Sequence, residues 1–366
     1  MKKVYETDLL VVGGGAAGLC AAAEAAGAGA QVTVIESDLH PGGQLVKQTH
    51  KFFGSRDEYA GTRGYKIAGI LLDEIASLGD KVTIKCNSTV TGYYPEDGVY
   101  TVMEGEENYY RVKAKKAVIA TGAQERMIPF PNNDLPGVYG AGAVQTLMNV
   151  YGVVPGKRVL MVGAGNIGLI VSYQLAQAGV EVAAVVEAMP KVGGYWVHAA
   201  KIRRLGIPIL LQHTVTEALG DRVLEGAMIQ ELDDKFQLKG EPRKIDCDII
   251  CMADGLTPTT ELFWQAGCKM RYVPQLCGYV PFRDRNMRTS NPDIWVAGDA
   301  SGIEEASAAM VEGRIAGHGA AKALGLTVDC NKFSEYWTRL DHLRAGEVGE
   351  KILAGIGQVM VDGWEA

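Results

Sequence analysis

Gly13, Gly15 and Gly18 follow the apolar run Leu9, Leu10, Val11 and Val12 in G-x-G-x-x-G spacing, and Glu36 stands 18 residues beyond the third glycine. Each residue type answers one demand of a nucleotide pyrophosphate. The first glycine permits a tight turn, the second lets the pyrophosphate approach the backbone, and the third lets a helix pack closely on a sheet. Residues 19–28 are dominated by strong helix formers. An anion would therefore sit on a helix N-terminus, where unpaired N–H groups and the dipole favour it. Glu36 ends the next apolar run, 31–35, where an acid that binds ribose hydroxyls belongs. A lone glycine pattern says little, because glycine-rich turns occur in ordinary βαβ units. Strand, glycines, helix, strand and acid in that order make a dinucleotide fingerprint.

The unit occurs twice. Gly163, Gly165 and Gly168 follow the apolar run 159–162, residues 169–178 read as a helix, 182–186 as a strand, and Glu187 ends it. Gly13 to Glu36 spans 23 residues and Gly163 to Glu187 spans 24, and a glycine pair follows each acid, Gly42-Gly43 and Gly193-Gly194. Two such sites imply two nucleotides, with chemistry passing between them.

The elements that must position these residues form an α/β pattern. Residues 61–78 read as an amphipathic helix, 82–116 as an antiparallel meander with turns at 95–98 and 104–105, and 117–122 as a buried strand ending on glycine. The Pro- and Gly-rich stretch 123–157 reads as a structured linker. Residues 209–252 read as further strands, and ADG at 253–255 echoes ATG at 120–122. A last strand, 294–297, runs into Gly298-Asp299, a helix over 304–324 follows, and the tail 332–366 reads as one more helix with a packing or oligomer role.

Bulk properties narrow the class. A chain of 366 residues predicts two or three domains. A net charge of −7 gives no basic footprint for nucleic acid or acidic lipid. Glu6, Asp8, Glu24 and the glycines interrupt the apolar N-terminal stretch, so neither a membrane span nor a signal peptide is expected, and the protein is expected to be cytoplasmic. The seven cysteines include no C-x-x-C and no iron–sulfur spacing. Cys247 and Cys251 read as small buried hydrophobes. No metal-ligand cluster and no Ser-His-Asp constellation is visible.

Four blocks together, GGGAAG with Glu36, ATG at 120–122, GAGNIG with Glu187, and WVAGDAS at 295–301, resemble a superfamily of flavoproteins. These are the glutathione- and thioredoxin-reductase-like, or pyridine nucleotide-disulfide oxidoreductase-like, proteins with two Rossmann-like dinucleotide-binding domains. The resemblance implies a discontinuous FAD-binding domain, 1–125 with 256–330, an NAD(H)-binding domain, 126–255, and a C-terminal helical tail, 331–366. It implies FAD contacts from Gly13, Gly15, Ala16, Ala17, Gly18, Glu36, Ser37, Gly43, Gln44, Leu45, Thr49, Val90, Ala120, Thr121 and Gly122. Gly298, Asp299, Glu305, Ala306 and Ser307 join them, Asp299 at the flavin ribitol or pyrophosphate and the helix after it at the flavin ring edge. Gly163, Gly165, Asn166, Ile167, Gly168 and Glu187 would hold the second nucleotide.

The disulfide reductases of that superfamily carry a cysteine pair after the first Gly-Gly or in the nicotinamide domain. Here QLVKQTHKFFGS follows Gly43 without cysteine, and residues 123–208 contain none. Thiol–disulfide chemistry needs a resolving thiol, so that activity is not expected. The stretches TGAQERMIPFPNNDLPGVYGAGAVQ, GGYWVHAAKIRRLGI and LTPTTELFWQAGC are similar to the FAD/NAD-binding subunits of opine oxidase, hydrogen cyanide synthase, dye-linked proline dehydrogenase and the sarcosine oxidase alpha chain. This similarity implies an FAD-dependent, NAD(H)-linked oxidoreductase in a heteromeric amino- or imino-acid dehydrogenase complex, or a diaphorase. Its partners would be a small iron–sulfur protein and a second oxidoreductase subunit. The alternative is a nucleotide-holding scaffold whose partner does the chemistry. Glu187 at the strand end, with Lys191 the one cation in 188–193, predicts NAD(H) over NADP(H). Lys47, Thr49, His50 and Lys51 are the candidates beside the flavin, where a cation or acid would favour its reduced form. His198 is expected to cap or pack its helix, and Arg203 and Arg204 to form a solvated face.

Overall fold

The computed structural model describes residues 3–364. The chain divides into two compact units, Met1–Gln124 with Thr257–Ala366, and Glu125–Leu256.

The first unit is built on the strand Val4–Val12, whose apolar end Leu9–Val12 is fully buried. It pairs in parallel with Val32–Ile35 on one side and Asn108–Ile119 on the other, and Val82–Lys85 lies beyond Val32–Ile35. Residues 108–119, divided in the sequence reading between a meander and a returning strand, are one strand of 12 residues. Its first half pairs antiparallel with Val99–Glu104 and its last residues run parallel to Ile294–Val296. The meander is thus an extension of the main sheet. The helix Ala16–Gly27 is buried nearly all round because it is almost entirely alanine and glycine, and small side chains let a second helix approach. That helix is Ala306–Ala323. A Cβ on Gly313 or Gly317 would stand 2.1 or 2.3 Å from the carbonyl oxygens of Ala17 and Ala21, so only glycine allows this contact.

The tail forms two helices, Cys330–Leu343 and Glu347–Ile356, where one was expected. Gly346, at φ +93°, breaks them apart. Phe333, Trp337 and the buried Leu340 pack on the core of this unit, and the Tyr336 hydroxyl donates to Glu24 at 2.7 Å. Ile352, Ile356 and Val359 close a small cluster with Val273, Leu276 and Val280. Both apolar stripes of the tail are therefore spent within the unit.

The second unit repeats the plan. Ile209–Leu211, Glu181–Glu187, Arg158–Val162, Ile249–Met252 and Val138–Gly140 form a parallel sheet in that order. An antiparallel sheet of His213–Leu219, Gly226–Leu232 and Leu238–Ile245 packs beside it. Residues 123–157 are not a linker: they supply the strand Val138–Gly140 and the helix Ala141–Asn149. No side chain at the helix's own start caps it. The Glu125 carboxylate does so from a distance, accepting from the Gly142 N–H at 2.6 Å. No local sequence signal marks such a start.

Candidate functional site

Each fingerprint acid clamps its own glycine loop. Glu36, 4% exposed, accepts from the Gly14 N–H at 2.6 Å through one oxygen and from the Asp38 N–H at 2.8 Å through the other. Glu187 does the same with Ala164 at 2.7 Å and Met189 at 2.9 Å. The glycine pairs close each loop from the other side. Gly42 N–H donates to Gly14 O at 2.8 Å, and Gly194 N–H to Ala164 O at 2.9 Å. Each carboxylate oxygen keeps lone-pair capacity for a ribose hydroxyl. Gly14, Asp38, Ala164 and Met189 were missed in the sequence, although the matched offsets of 22 and 23 residues from loop to acid were there to be seen.

The glycines of each loop differ in what they are for. At Gly13 and Gly163, with φ of +101° and +103°, a Cβ would stand 2.4 and 2.5 Å from the carbonyl oxygens of Ala120 and Ala253. At Gly18 and Gly168 it would stand 1.8 and 2.0 Å from the carbonyl oxygens of Gly13 and Gly163. These four positions are fixed by the fold. The middle glycines are not: at Gly15 the nearest atom would be 3.8 Å away, and at Gly165 nothing lies within 4 Å. Gly15 and Gly165 are also the N-caps of Ala16–Gly27 and Asn166–Gln177, and neither helix has a side-chain cap. Their first-turn N–H groups, those of Ala16, Ala17 and Gly18 and of Asn166, Ile167 and Gly168, are placed to meet an anion.

Distant parts of the first unit converge on its loop. The Ala120 carbonyl sits against Gly13, and Thr121 donates its hydroxyl to Thr259 O at 2.8 Å, with Gly122 following at φ +70°. Gly43 packs on Gly15 and opens the turn Gly43–Lys47, which carries Gln44 and the buried Leu45. Gly298 lies so close to Ala17 that a Cβ would meet its methyl at 2.8 Å. Ser37 donates to Glu36 at 3.2 Å, and Val90 lies in the strand Ser88–Tyr94, whose first N–H bonds Glu36 O at 2.9 Å. Lys47 ends its turn, the Arg63 guanidinium donates to Thr49 O, His50 stacks on Phe52 at 5.3 Å, and the backbones of Lys51 and Arg63 form an isolated antiparallel β-bridge.

The helix expected over 304–324 starts at Ala306, with Glu305 as N-cap and Ser307 buried in its first turn. Glu304 is drawn off instead to Arg344, which donates to it at 2.6 and 2.9 Å. Arg344 also donates to Glu312 at 2.6 Å. Glu312 in turn accepts from the Gly298 N–H at 3.0 Å and the Ser301 hydroxyl at 2.7 Å. Ser301 closes the block 295–301 and Glu304 stands at the expected helix start, but Glu312 and Arg344 gave no signal in the sequence.

Burial, with the nearby carboxylates of Glu312, Glu304 and Glu305 adding to it, pushes the Asp299 carboxyl up from its ordinary 3.8 to about 7. A group raised on folding contributes stability that is full below its unfolded value and is lost as pH rises through the folded one. Ionising Asp299 should therefore cost the nucleotide-free protein roughly 3–4 kcal/mol between pH 4 and pH 8. Asp299→Asn stays neutral throughout. Thermal melts of the nucleotide-free protein should show the variant gaining on the wild type as pH rises from 5 to 8. Parallel pH curves for the two proteins would refute this.

The cysteines carry no redox pair. All seven are free, and burial pushes the Cys20 and Cys247 thiols up to about 11 and about 12 and raises Cys251 as well. High values suit packing rather than thiolate chemistry. His198, 5% exposed, is buried inside the helix Trp196–Arg204, and burial beside Lys201 lowers its pKa. No group of three His, Cys, Asp or Glu side chains suited to a metal occurs among the described residues. No helix among them is long and apolar enough to cross a membrane.

The chain is 29% identical to an opine oxidase subunit of Agrobacterium tumefaciens (strain Ach5) over 84% of its own length and 64% of that protein's. It is also 29% identical to the sarcosine oxidase alpha subunit of Corynebacterium sp. (strain P-1), over 87% of this chain and 33% of the relative. It thus spans less than two thirds of the length of these relatives. Among solved structures, L-proline dehydrogenase from P. horikoshii superposes with a TM-score of 0.69 at 23% identity, over 93% of this chain and 60% of that one, a likeness of fold. The sequence profile of one family of nucleotide-binding flavoprotein oxidoreductases matches residues 7–313. By that match, and by the doubled Rossmann-like plan just described, the chain belongs to the pyridine nucleotide-disulphide oxidoreductase family.

Proposed function

We propose that the first site holds FAD and the second NAD(H), and that the chain passes a hydride between them as one subunit of a heteromeric amino- or imino-acid dehydrogenase. The observation that carries this reading is the pair of middle glycines. Gly15 and Gly165 lack the close contacts that make the other loop glycines obligatory, so what they leave room for is a ligand. Bound FAD would supply a two-electron acceptor that no side chain of this chain provides. The backbone of the two loops would hold the pyrophosphates, and Glu36 and Glu187 the ribose hydroxyls.

Glu187 favours NADH over NADPH, because its carboxylate accepts from ribose hydroxyls and repels a 2′-phosphate. Seven free cysteines, four of them buried and none in a pair, speak against disulfide reduction and suit a reducing compartment, the cytoplasm. The two relatives above are named as subunits, which supports a second polypeptide as electron partner. A small iron–sulfur protein is the third component we propose, since this chain offers no relay of its own. Lys47, Thr49, His50 and Lys51 remain the candidates beside the flavin.

The test uses the native protein purified from its source. Its mass in solution is measured first and should not be a whole multiple of this chain's own mass, with a second polypeptide present in the same particle. Anaerobic mixing with NADH should then bleach the yellow flavin absorption at least tenfold faster than NADPH at the same low concentration. Tight NADH binding without bleaching would mean a nucleotide-holding scaffold. Equal rates with both nucleotides would remove the role given to Glu187.

A further inference from the structure

The loop that leads into the helix Ala306–Ala323 hangs on a buried ion cluster that the C-terminal segment completes. Arg344 stands at the end of Cys330–Leu343, outside the residues that the family profile matches. Its side chain is 3% exposed and lies between those of Glu304, 6% exposed, and Glu312, 3% exposed. Glu312 is the anchor that receives the Gly298 N–H and the Ser301 hydroxyl, and the Glu304 N–H reaches Asp299 at 3.5 Å. One guanidinium thus ties together both ends of the turn that presents Asp299.

The tail is built to hold that guanidinium still. A Cβ on Gly349 would stand 1.8 Å from the Arg344 carbonyl oxygen, so the second tail helix packs directly on the Arg344 backbone. Gly355 of that helix presses on Leu276, and Leu276 fills the space beside Gly302, where a Cβ would meet it at 2.9 Å. The tail also takes both backbone bonds of Arg283, from the Arg283 N–H to Val359 O at 3.0 Å and from the Val361 N–H to Arg283 O at 2.9 Å. Arg283 is 1% exposed, and its Nε and Nη1 reach no hydrogen-bond partner among the described residues. Glu312, Glu304 and Arg344 all act on its charge, so the cluster holds the carboxylates of Glu304 and Glu312 and two guanidinium groups, with the Asp299 carboxyl beside them.

Buried charges of one sign left without their counterion are expensive, which makes the balance depend on Arg344. Burial works against the Arg344 charge, but Glu312 and Glu304 outweigh it and hold its pKa above the ordinary value. Without Arg344, Glu304 and Glu312 would repel one another and pull on the turn between Gly298 and Ala306.

We propose that Arg344 is a positioning residue for FAD: wedged between Glu304 and Glu312 by the two tail helices, it fixes the Gly298–Ala306 turn and thereby sets flavin affinity. This rests on the reading of the first site as an FAD site. It assigns to the tail a role inside its own unit.

The experiment titrates FAD into flavin-free full-length protein and follows quenching of flavin fluorescence, with circular dichroism melts as a folding control. Arg344→Gln should weaken FAD binding about tenfold or more. The double variant R344Q/E304Q, which removes one charge of each sign, should bind within a few-fold of wild type. Arg344→Lys should fall between, since an ammonium restores the charge but not the fork that meets both carboxylates. If Arg344→Gln does not fold, a double variant that folds and binds FAD still carries the proposal. Wild-type affinity in Arg344→Gln would overturn it, as would a folded double variant no better than the single one. A wild type that takes up no FAD would overturn the site reading along with it, so the two failures are told apart.

Discussion

Gly15→Val protein will purify folded and colourless. The position tolerates a side chain, since the nearest atom to an added Cβ is Gly43 Cα at 3.8 Å, and Gly15 is not among the positive-φ glycines. The space that valine fills is the approach to the N–H groups of Ala16, Ala17 and Gly18. Losing two charge-assisted bonds from these to a pyrophosphate, each worth roughly 1.5–3 kcal/mol, should weaken FAD binding about 10²–10⁴-fold. Gly18→Val serves as the contrast. Its Cβ would stand 1.8 Å from Gly13 O, so this variant should fail to fold rather than fold without flavin. Absorbance per mole of protein and a circular dichroism spectrum decide both. A yellow Gly15→Val protein with wild-type FAD content would remove the first site from the function.

Gly165→Val will stay yellow and will bleach only slowly at low NADH. Nothing lies within 4 Å of an added Cβ there, so the second loop keeps its fold, with Glu187 still clamped on Ala164. The first unit is untouched, and FAD content should equal the wild type's. What is lost is the anion seat at the start of Asn166–Gln177, and by the same accounting of two bonds the NADH-dependent bleaching rate at low NADH should fall about 10²–10⁴-fold. Reduction by dithionite, which needs no nucleotide site, should proceed as in wild type. Bleaching by NADH at the wild-type rate would show that the second fingerprint does not deliver the reductant. Loss of flavin in this variant would show that the two sites are not held independently.

These variants separate what local spacing determines from what it leaves open. The two fingerprints were legible because every demand on them is local. A strand must turn within a few residues, Gly13 and Gly163 must adopt positive φ, and the helix must return over Gly18 and Gly168, so residue type and spacing carry the whole geometry. The parallel sheets follow from the same units, as buried apolar runs joined by crossing helices. The absence of a cysteine pair was likewise a property of the chain alone.

Where an element's partner lies far along the chain, spacing carried nothing. Residues 123–157 read as a linker because proline and glycine are frequent there, yet Glu125 caps a helix within them through space. The strand Asn108–Ile119 is continuous because it has neighbours along both halves, which its own alternation does not reveal. The apolar stripes of the tail suit their own domain more often than a partner, and here they pack on the first unit's core and on a small cluster of its own. The sequence by itself determined two nucleotide loops, their acids and the sheets that present them, because those are set by neighbours a few residues apart. Only the tertiary structure decided that Glu304 leaves its helix and that Glu312, Ser301 and Arg344 hold the turn at Asp299. An ion pair buried across 32 or 40 residues leaves no periodicity or spacing behind, and only the fold brings its members together.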